Sequence, residues 1–329
     1  MMTQLQTALT RHLNIEHPVI LAPMANTAGG ALAAAVTQAG GLGLIGGGYG
    51  DDGWLRAQFA QAGNTRVGIG FITWSLARQP ELLTLALDHE PAAIMLSFGD
   101  HTPFVDAIKK AGVILICQVQ TLQQAVHAAQ SGADIIVAQG QEAGGHGMTT
   151  RGTITLVPAI VDAVSGDIPV VAAGGIADGR GLAASLMLGG SGVLMGTRFS
   201  AASEALWADD KQAMVTQAKG DDTVRTRVFD MLSAKGFPEP FDGRAVGNTM
   251  SDRWHGNEAA LLDNLERERA RYAEADARDD WSARAVFAGE CVDLIDDVLP
   301  AREIVERTVA QAIAMLTDGS AYSVADGPG

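Results

Sequence analysis

Eight runs of apolar residues punctuate the first part of the chain: 19–24, 42–48, 66–72, 92–98, 113–118, 134–138, 169–173 and 192–195. They are continuous rather than alternating; Ala92-Ala-Ile-Met-Leu-Ser-Phe98 and Val113-Ile-Leu-Ile-Cys-Gln118 are examples. Continuous hydrophobicity marks strands buried on both faces, as in a parallel sheet. The segments between them predict helices over 29–38, 51–62, 80–89, 103–111, 121–130, 155–164 and 178–188. Ala39-Gly40, Ala111-Gly112, Ser131-Gly132 and Gly189-Gly190 each end a helix just before a strand, as C-caps do. No hairpin turn joins the runs. Repeating βα units, eight within about 200 residues, predict a (β/α)8 TIM barrel. A doubly wound sheet has the same period, and period alone does not tell closed from open.

From about Ala201 the rhythm stops. Residues 205–290 are more polar and read as helical, with Phe237-Pro-Glu-Pro-Phe241 as a turn between helices. From Leu261 to Asp276 acidic and basic residues alternate at helical spacing, which reads as a solvated helix face with i,i+4 pairs. An amphipathic helix over 304–316 is suited to pack back on the barrel. The expected organisation is a barrel over 1–204, a helical substrate cap over 205–290 and a C-terminal segment over 291–329.

The 329 residues are 47% apolar, enough for a large core, and they carry a formal net charge of −15. So acidic a chain is unsuited to nucleic-acid phosphates, and the charge reads as solubility. Cys117 and Cys291 have no metal-ligand spacing, and no apolar run reaches about 18 residues. The first 17 residues lack the apolar segment of a signal peptide. A reduced, cytoplasmic location off the membrane is the expectation.

Special residues gather where the predicted strands end, which in a barrel is the catalytic face. Strand one ends in Ala22, Pro23 and Met24, strand three in Gly70, and strand five in Gln118. Strand six leads into Gln139-Gly-Gln-Glu-Ala-Gly-Gly-His-Gly147. Gly144 and Gly145 there allow close backbone approach, and His146 is the one group that titrates near neutral pH. A glycine-rich turn with a solvated histidine is the plain alternative. Strands seven and eight end in Gly174-Gly175 and Met195-Gly196-Thr197, a pattern suited to a phosphate cup of backbone N–H groups. Gly41-Leu-Gly-Leu-Ile-Gly46 mimics a dinucleotide fingerprint, but a helix precedes it and a strand runs through it, which reverses the required order. His12, His17, His89, His101, His127 and His255 fall in helices or surface turns and read as structural or solvated. No metal site is expected.

With these residues laid out, the chain resembles the nitronate monooxygenases, once called 2-nitropropane dioxygenases. The matching pieces are Ala22-Pro-Met24, Gly40-Gly-Leu-Gly43, Val67-Gly-Ile-Gly-Phe-Ile72, the Gln139 to Gly147 stretch, Ala173-Gly-Gly-Ile-Ala-Asp-Gly-Arg-Gly181 and Met195-Gly-Thr-Arg-Phe199. Further along, Val224-Arg-Thr-Arg-Val-Phe-Asp230, Gly243-Arg-Ala245 and Phe287-Ala-Gly-Glu290 also match. The resemblance implies FMN, held by Ala22, Pro23, Met24, Gly70, Gln118, Gln139, Gly144, Gly174, Gly175, Met195, Gly196 and Thr197. It implies His146 as the base in an oxidation of alkyl nitronates, and of nitroalkanes, by O2 to carbonyl compounds and nitrite. Some relatives carry Lys where this chain has Gln118. Enoyl-thioester and quinone reductases that use FMN and NAD(P)H share much of the pattern and are the alternative. The implied partners are a small substrate and O2, with a homodimer left open.

Overall fold

The computed structural model describes residues 4–164, 168–233 and 235–318. Residues 319–329 of the expected C-terminal segment lie outside them. Six strands come first: β1 (Val19–Leu21), β2 (Leu44–Gly46), β3 (Gly68–Ile72), β4 (Ala93–Ser97), β5 (Ile114–Val119) and β6 (Ile135–Gln139). A three-residue strand, β7 (Gly145–Gly147), precedes β8 (Val170–Ala173) and β9 (Gly192–Met195), and β10 (Thr223–Thr226) and β11 (Asp242–Val246) follow. All eight apolar runs are strands, and they pair in parallel in the order β1-β9-β8-β6-β5-β4-β3-β2. A parallel bridge from Ile20 to Leu42 joins the two ends of that order, with Leu21 N donating to Leu42 O at 2.9 Å. The sheet is a barrel, not an open doubly wound layer.

Two hydrophobic layers follow from strands buried on both sides. Ile20, Leu44, Met95, Ile116, Ile135, Val137, Val171 and Leu194 fill the inside of the barrel. Leu9, from helix Ala8–Leu13, joins that inner layer against the start of β9 and is fully buried. The other faces of the strands pack under the surrounding helices. The final helix, Ala301–Thr317, starts earlier than the amphipathic pattern suggests because the Glu204 carboxylate accepts from Ala301 N at 2.9 Å. It lies against helices Gly179–Met187 and Gly30–Gln38, burying Ile304, Val305, Val309 and Ala312. It therefore takes the place of the eighth barrel helix. The cap is an insertion between the eighth barrel strand and that helix.

The cap is mostly helical, as its composition suggests, and it also carries strands. Helices Asp209–Gln217, Val228–Ser233, Thr249–Trp254, Glu258–Leu262 and Leu265–Ala277 are present, but β10 and β11 form an antiparallel pair beside them. β11 pairs on its other edge with β7, so the loop after β6 is stitched to the cap by backbone hydrogen bonds. β7 escaped the sequence pattern because two of its three residues are glycines, which carry no strand preference of their own. Its conformation comes from its partner. The charged helix is also less uniform than expected: Glu268 is fully buried, ion-paired with Arg267 and Arg271 at 3.0 Å.

Cys117 and Cys291 are buried and unpaired, and burial pushes both thiols up to about 12. Neither is a thiolate nucleophile near neutral pH. No helix among the described residues is long and apolar enough to cross a membrane. On the cap, the Lys211 ammonium lies 4.0 Å from the Trp207 ring centroid and 4.9 Å from that of Trp281. Burial, with Arg284 and Lys235 nearby, lowers its pKa to about 8 from 10.5. Between those values the unfolded chain binds more protons than the folded one, so this residue's contribution to stability rises with pH. We expect the stability difference between the native chain and Lys211→Met to grow in favour of the native chain from neutral pH to about pH 10. Urea denaturation of both at the two pH values measures it, and a constant difference contradicts it.

Candidate active site

The C-terminal ends of the barrel strands form the floor of the site. Ala22, Pro23 and Met24 leave β1 and cross the mouth, with Ala22 N donating to Met195 O at 2.9 Å. Glycines clear their way. A Cβ at Gly70 would lie 2.2 Å from Pro23 Cγ, and one at Gly46 would lie 2.3 Å from Met24 O. A Cβ at Gly196 would stand 3.4 Å from Met24 Sδ, so the ends of β1, β2, β3 and β9 meet around this crossing. At the end of β8, Gly174 and Gly175 adopt φ of +101° and +72°, which L side chains rarely take. Thr197 opens the short helix after β9, and its hydroxyl accepts from Gly289 N at 3.0 Å. Glu142 accepts from Thr153 N at 2.9 Å, so the N-terminus of helix Thr153–Ala163 already has an anion.

Gln118 and Gln139 meet at the ends of β5 and β6. Gln139 Oε1 accepts from Gln118 Nε2 at 3.1 Å and from Gln120 Nε2 at 2.7 Å. Its amide nitrogen donates to His146 O at 3.0 Å. Gln139 thus ties the barrel rim to β7, and Gln120, which sequence reasoning did not single out, completes the cluster.

His146 is not at a loop tip. It is the middle residue of β7, facing Gly243 of β11 in the ladder. A Cβ at Gly243 would meet the Phe287 ring at 2.7 Å, so the aromatic packing there depends on that glycine. His146 Nε2 lies 2.8 Å from Asp230 Oδ1, with the two side chains only 10% and 8% exposed. A carboxylate accepts only, so Nε2 carries the proton, and Nδ1 is left as the bare nitrogen of the neutral ring. Nδ1 has no hydrogen-bond partner among the described residues. Phe237 stacks on the imidazole at 3.6 Å between centroids and 3° between planes, and Phe287 leans against it at 5.3 Å. Phe98 and Trp74 pack edge-on to Phe237, and Phe241 packs edge-on to Phe98, extending an aromatic wall. Burial, and then the negative charge of Asp230, raises the Tyr49 phenol above its ordinary range, so it stays protonated.

Arg225 holds cap and rim together. Its guanidinium donates to Asp242 Oδ1 at 2.7 Å and to the carbonyls of Gln141 and Ala143 at 3.0 and 3.1 Å. Asp230, Phe237 and Arg225 were not assigned roles from sequence. Asp230 lies 84 residues beyond His146, and no local pattern pairs them. The one available signal was the Val224 to Asp230 stretch, whose Arg225 and Asp230 both reach the site. Gly144 has a role other than clearing room for a ligand: a Cβ there would lie 2.4 Å from Ala288 C and Gly289 N.

A (β/α)8 barrel with a carboxylate-backed imidazole at its mouth has the layout of a barrel enzyme working by proton transfer or redox chemistry. A sequence model described as nitronate monooxygenase matches residues 6–65 and 64–311. A nitronate monooxygenase of Neurospora crassa is 32% identical, covering 93% of each chain. Another, from Metarhizium robertsii, is 36% identical over 92% of this chain and 93% of the relative. Among solved structures, FabK of Thermotoga maritima superposes with a TM-score of 0.84 at 28% identity, covering 97% of this chain and all (100%) of that one. A nitroalkane oxidase of Streptomyces ansochromogenes shares the fold, with a TM-score of 0.76 at 24% identity over 94% of this chain and 100% of that one. The chain belongs to the nitronate monooxygenase family.

Because Gly144 sits against backbone, Gly144→Ala should force the 288–289 segment away from the rim and cost about 1–3 kcal/mol, as overpacking does. Chemical denaturation checks the loss, and an unchanged midpoint contradicts it.

Proposed function

We propose that this chain uses FMN to oxidise alkyl nitronates, and more slowly neutral nitroalkanes, with O2 as the oxidant and a carbonyl compound and nitrite as products. The observation that carries the reading is the His146–Asp230 pair buried at the barrel mouth in a chain of this family. FMN would be held by Ala22, Pro23, Met24, Gly70, Gln118, Gln139, Gly144, Gly174, Gly175, Met195, Gly196 and Thr197. In favour of that fit, the ends of β8 and β9 carry no side chains at Gly174, Gly175 and Gly196, and Gly174 and Gly175 take positive φ. Thr73 Oγ1 and Trp74 Nε1, just past β3, are buried polar atoms without a hydrogen-bond partner among the described residues. When bound, the flavin supplies the electron-accepting ring that passes electrons from substrate to O2.

The chain's own residues handle the proton. With Nε2–H directed at Asp230, Nδ1 of His146 is the nitrogen that takes the α-proton of a neutral nitroalkane. Asp230 then faces the positive imidazolium and stabilises it, a positioning role rather than a share in the transfer. A nitronate has already lost that proton. Towards it His146 orients and, when protonated, neutralises the anion. Phe237 covers one face of the ring and the aromatic wall keeps water away, so the proton stays on the pair. The acidic chain offers no long-range attraction to an anion. The pull is local.

His146→Asn should lower kcat/KM for a neutral nitroalkane by about 10²–10⁴-fold, the usual contribution of a general base, and lower that for the nitronate far less. Equal losses on both substrates remove the base assignment. Asp230→Asn should fall in the same direction and to a smaller extent, with a shifted pH profile for the nitroalkane reaction only. Anaerobic mixing of the yellow protein with propyl nitronate, and separately with NADH, tests the overall reading through flavin absorbance. Bleaching by nitronate alone, with nitrite formed once air enters, supports it. Prompt bleaching by NADH establishes the reductase instead.

A further inference from the structure

We propose that Asp100, His101 and His127 form a binding site for one divalent transition-metal ion, held between the loop after β4 and helix Leu122–Gln130, separate from the flavin site. One ligand atom from each of the three residues lies within 4.8 Å of the others. Around an ion bonded at about 2.0–2.2 Å, ligand atoms stand roughly 3–4 Å apart. His127 is exposed, so a small rotation of its side chain closes the difference.

The hydrogen bonds of the cluster prepare its donors. Ser131 Oγ has a single proton, and its helix carbonyl neighbours are His127 O at 2.5 Å and Ala128 O at 3.3 Å. With that proton directed to backbone, Ser131 Oγ faces His101 Nε2 at 2.7 Å as an acceptor. His101 is thereby fixed as the Nε2–H tautomer, and Nδ1 carries the free lone pair. This is how a hydroxyl bonded to the far nitrogen of a ligating imidazole orients the ring. Asp100 Oδ1 accepts from Thr102 N at 3.0 Å and Thr102 Oγ1 at 2.7 Å, which fixes the carboxylate and leaves Oδ2 free. The His101 and His127 rings lie 5.2 Å apart between centroids, tilted by 53°.

Two imidazoles and one carboxylate suit Zn²⁺, Co²⁺, Ni²⁺ or Cu²⁺, with water at the remaining positions, rather than Ca²⁺ or Mg²⁺. Phe98, two residues before Asp100, packs edge-on to Phe237 and Phe241 of the active-site wall. An ion here would tie the loop carrying Phe98 to a neighbouring helix.

The test is titration of the full-length chain, first stripped with chelator, with Zn²⁺ by calorimetry and with Co²⁺ by its visible absorption. One ion per chain is expected. His127→Ala, at an exposed position, should weaken binding at least tenfold, and Ser131→Ala by about 10–100-fold through loss of the oriented imidazole. Far-ultraviolet circular dichroism confirms that each variant is folded. No binding by the native chain at millimolar metal overturns the proposal. So does binding that His127→Ala leaves unchanged, because it places the ion elsewhere.

Discussion

The register of β7 against β11 decides where the chemistry sits. His146 is the only side chain on a strand flanked by Gly145 and Gly147. In a strand, a slip of one residue turns every side chain to the opposite face. Such a slip would carry the imidazole away from Asp230 and Phe237 together. Three sets of contacts fix the register: the ladder to Gly243, the Gln139 amide on His146 O, and the Arg225 guanidinium on the carbonyls of Gln141 and Ala143. Each comes from a different part of the chain.

That arrangement makes the docking of the cap and the orientation of the His146 ring a single event. Asp230 is carried by the cap and His146 by the barrel's sixth loop, and each is buried against the other. A lone carboxylate in such surroundings meets a desolvation cost of several kcal/mol. The imidazole offsets that cost and adds a near-parallel stack on Phe237, of a kind worth about 0.5–1.5 kcal/mol between aromatic rings. A barrel without its cap would leave His146 free to choose its tautomer. The docked cap chooses it.

The barrel was legible because its strands lie between two apolar layers, so each shows in the sequence as an unbroken run, and several have glycine at the preceding helix end. The cap was not, for three physical reasons. β10 and β11 are short and polar, and their buried Arg225 reads as a surface residue until its carbonyl partners are seen. β7 has the composition of a loop. Asp230 acts across a fold that no local spacing encodes. The histidines divide in the same way. His146 stood out because the glycines around it mark a strand end at the catalytic face. His101 and His127 sit in helical surroundings, and only the packing of one helix beside another brings them to a shared carboxylate.

The helix Ala301–Thr317 closes the barrel's outer layer between helices formed near the beginning and near the end of the barrel sequence. On a ribosome that helix emerges only after the whole cap, so a nascent barrel with all eight strands still has one apolar gap in its coat. Gly179 shows how closely the gap is fitted: a Cβ there would lie 2.4 Å from Thr308 O. Until the cap has passed and the last helix has docked, the oldest part of the molecule keeps an exposed greasy seam. The order of synthesis thus makes the cap a prerequisite for a finished barrel, and any stop codon between the two would release a protein with its strands complete and its wall open.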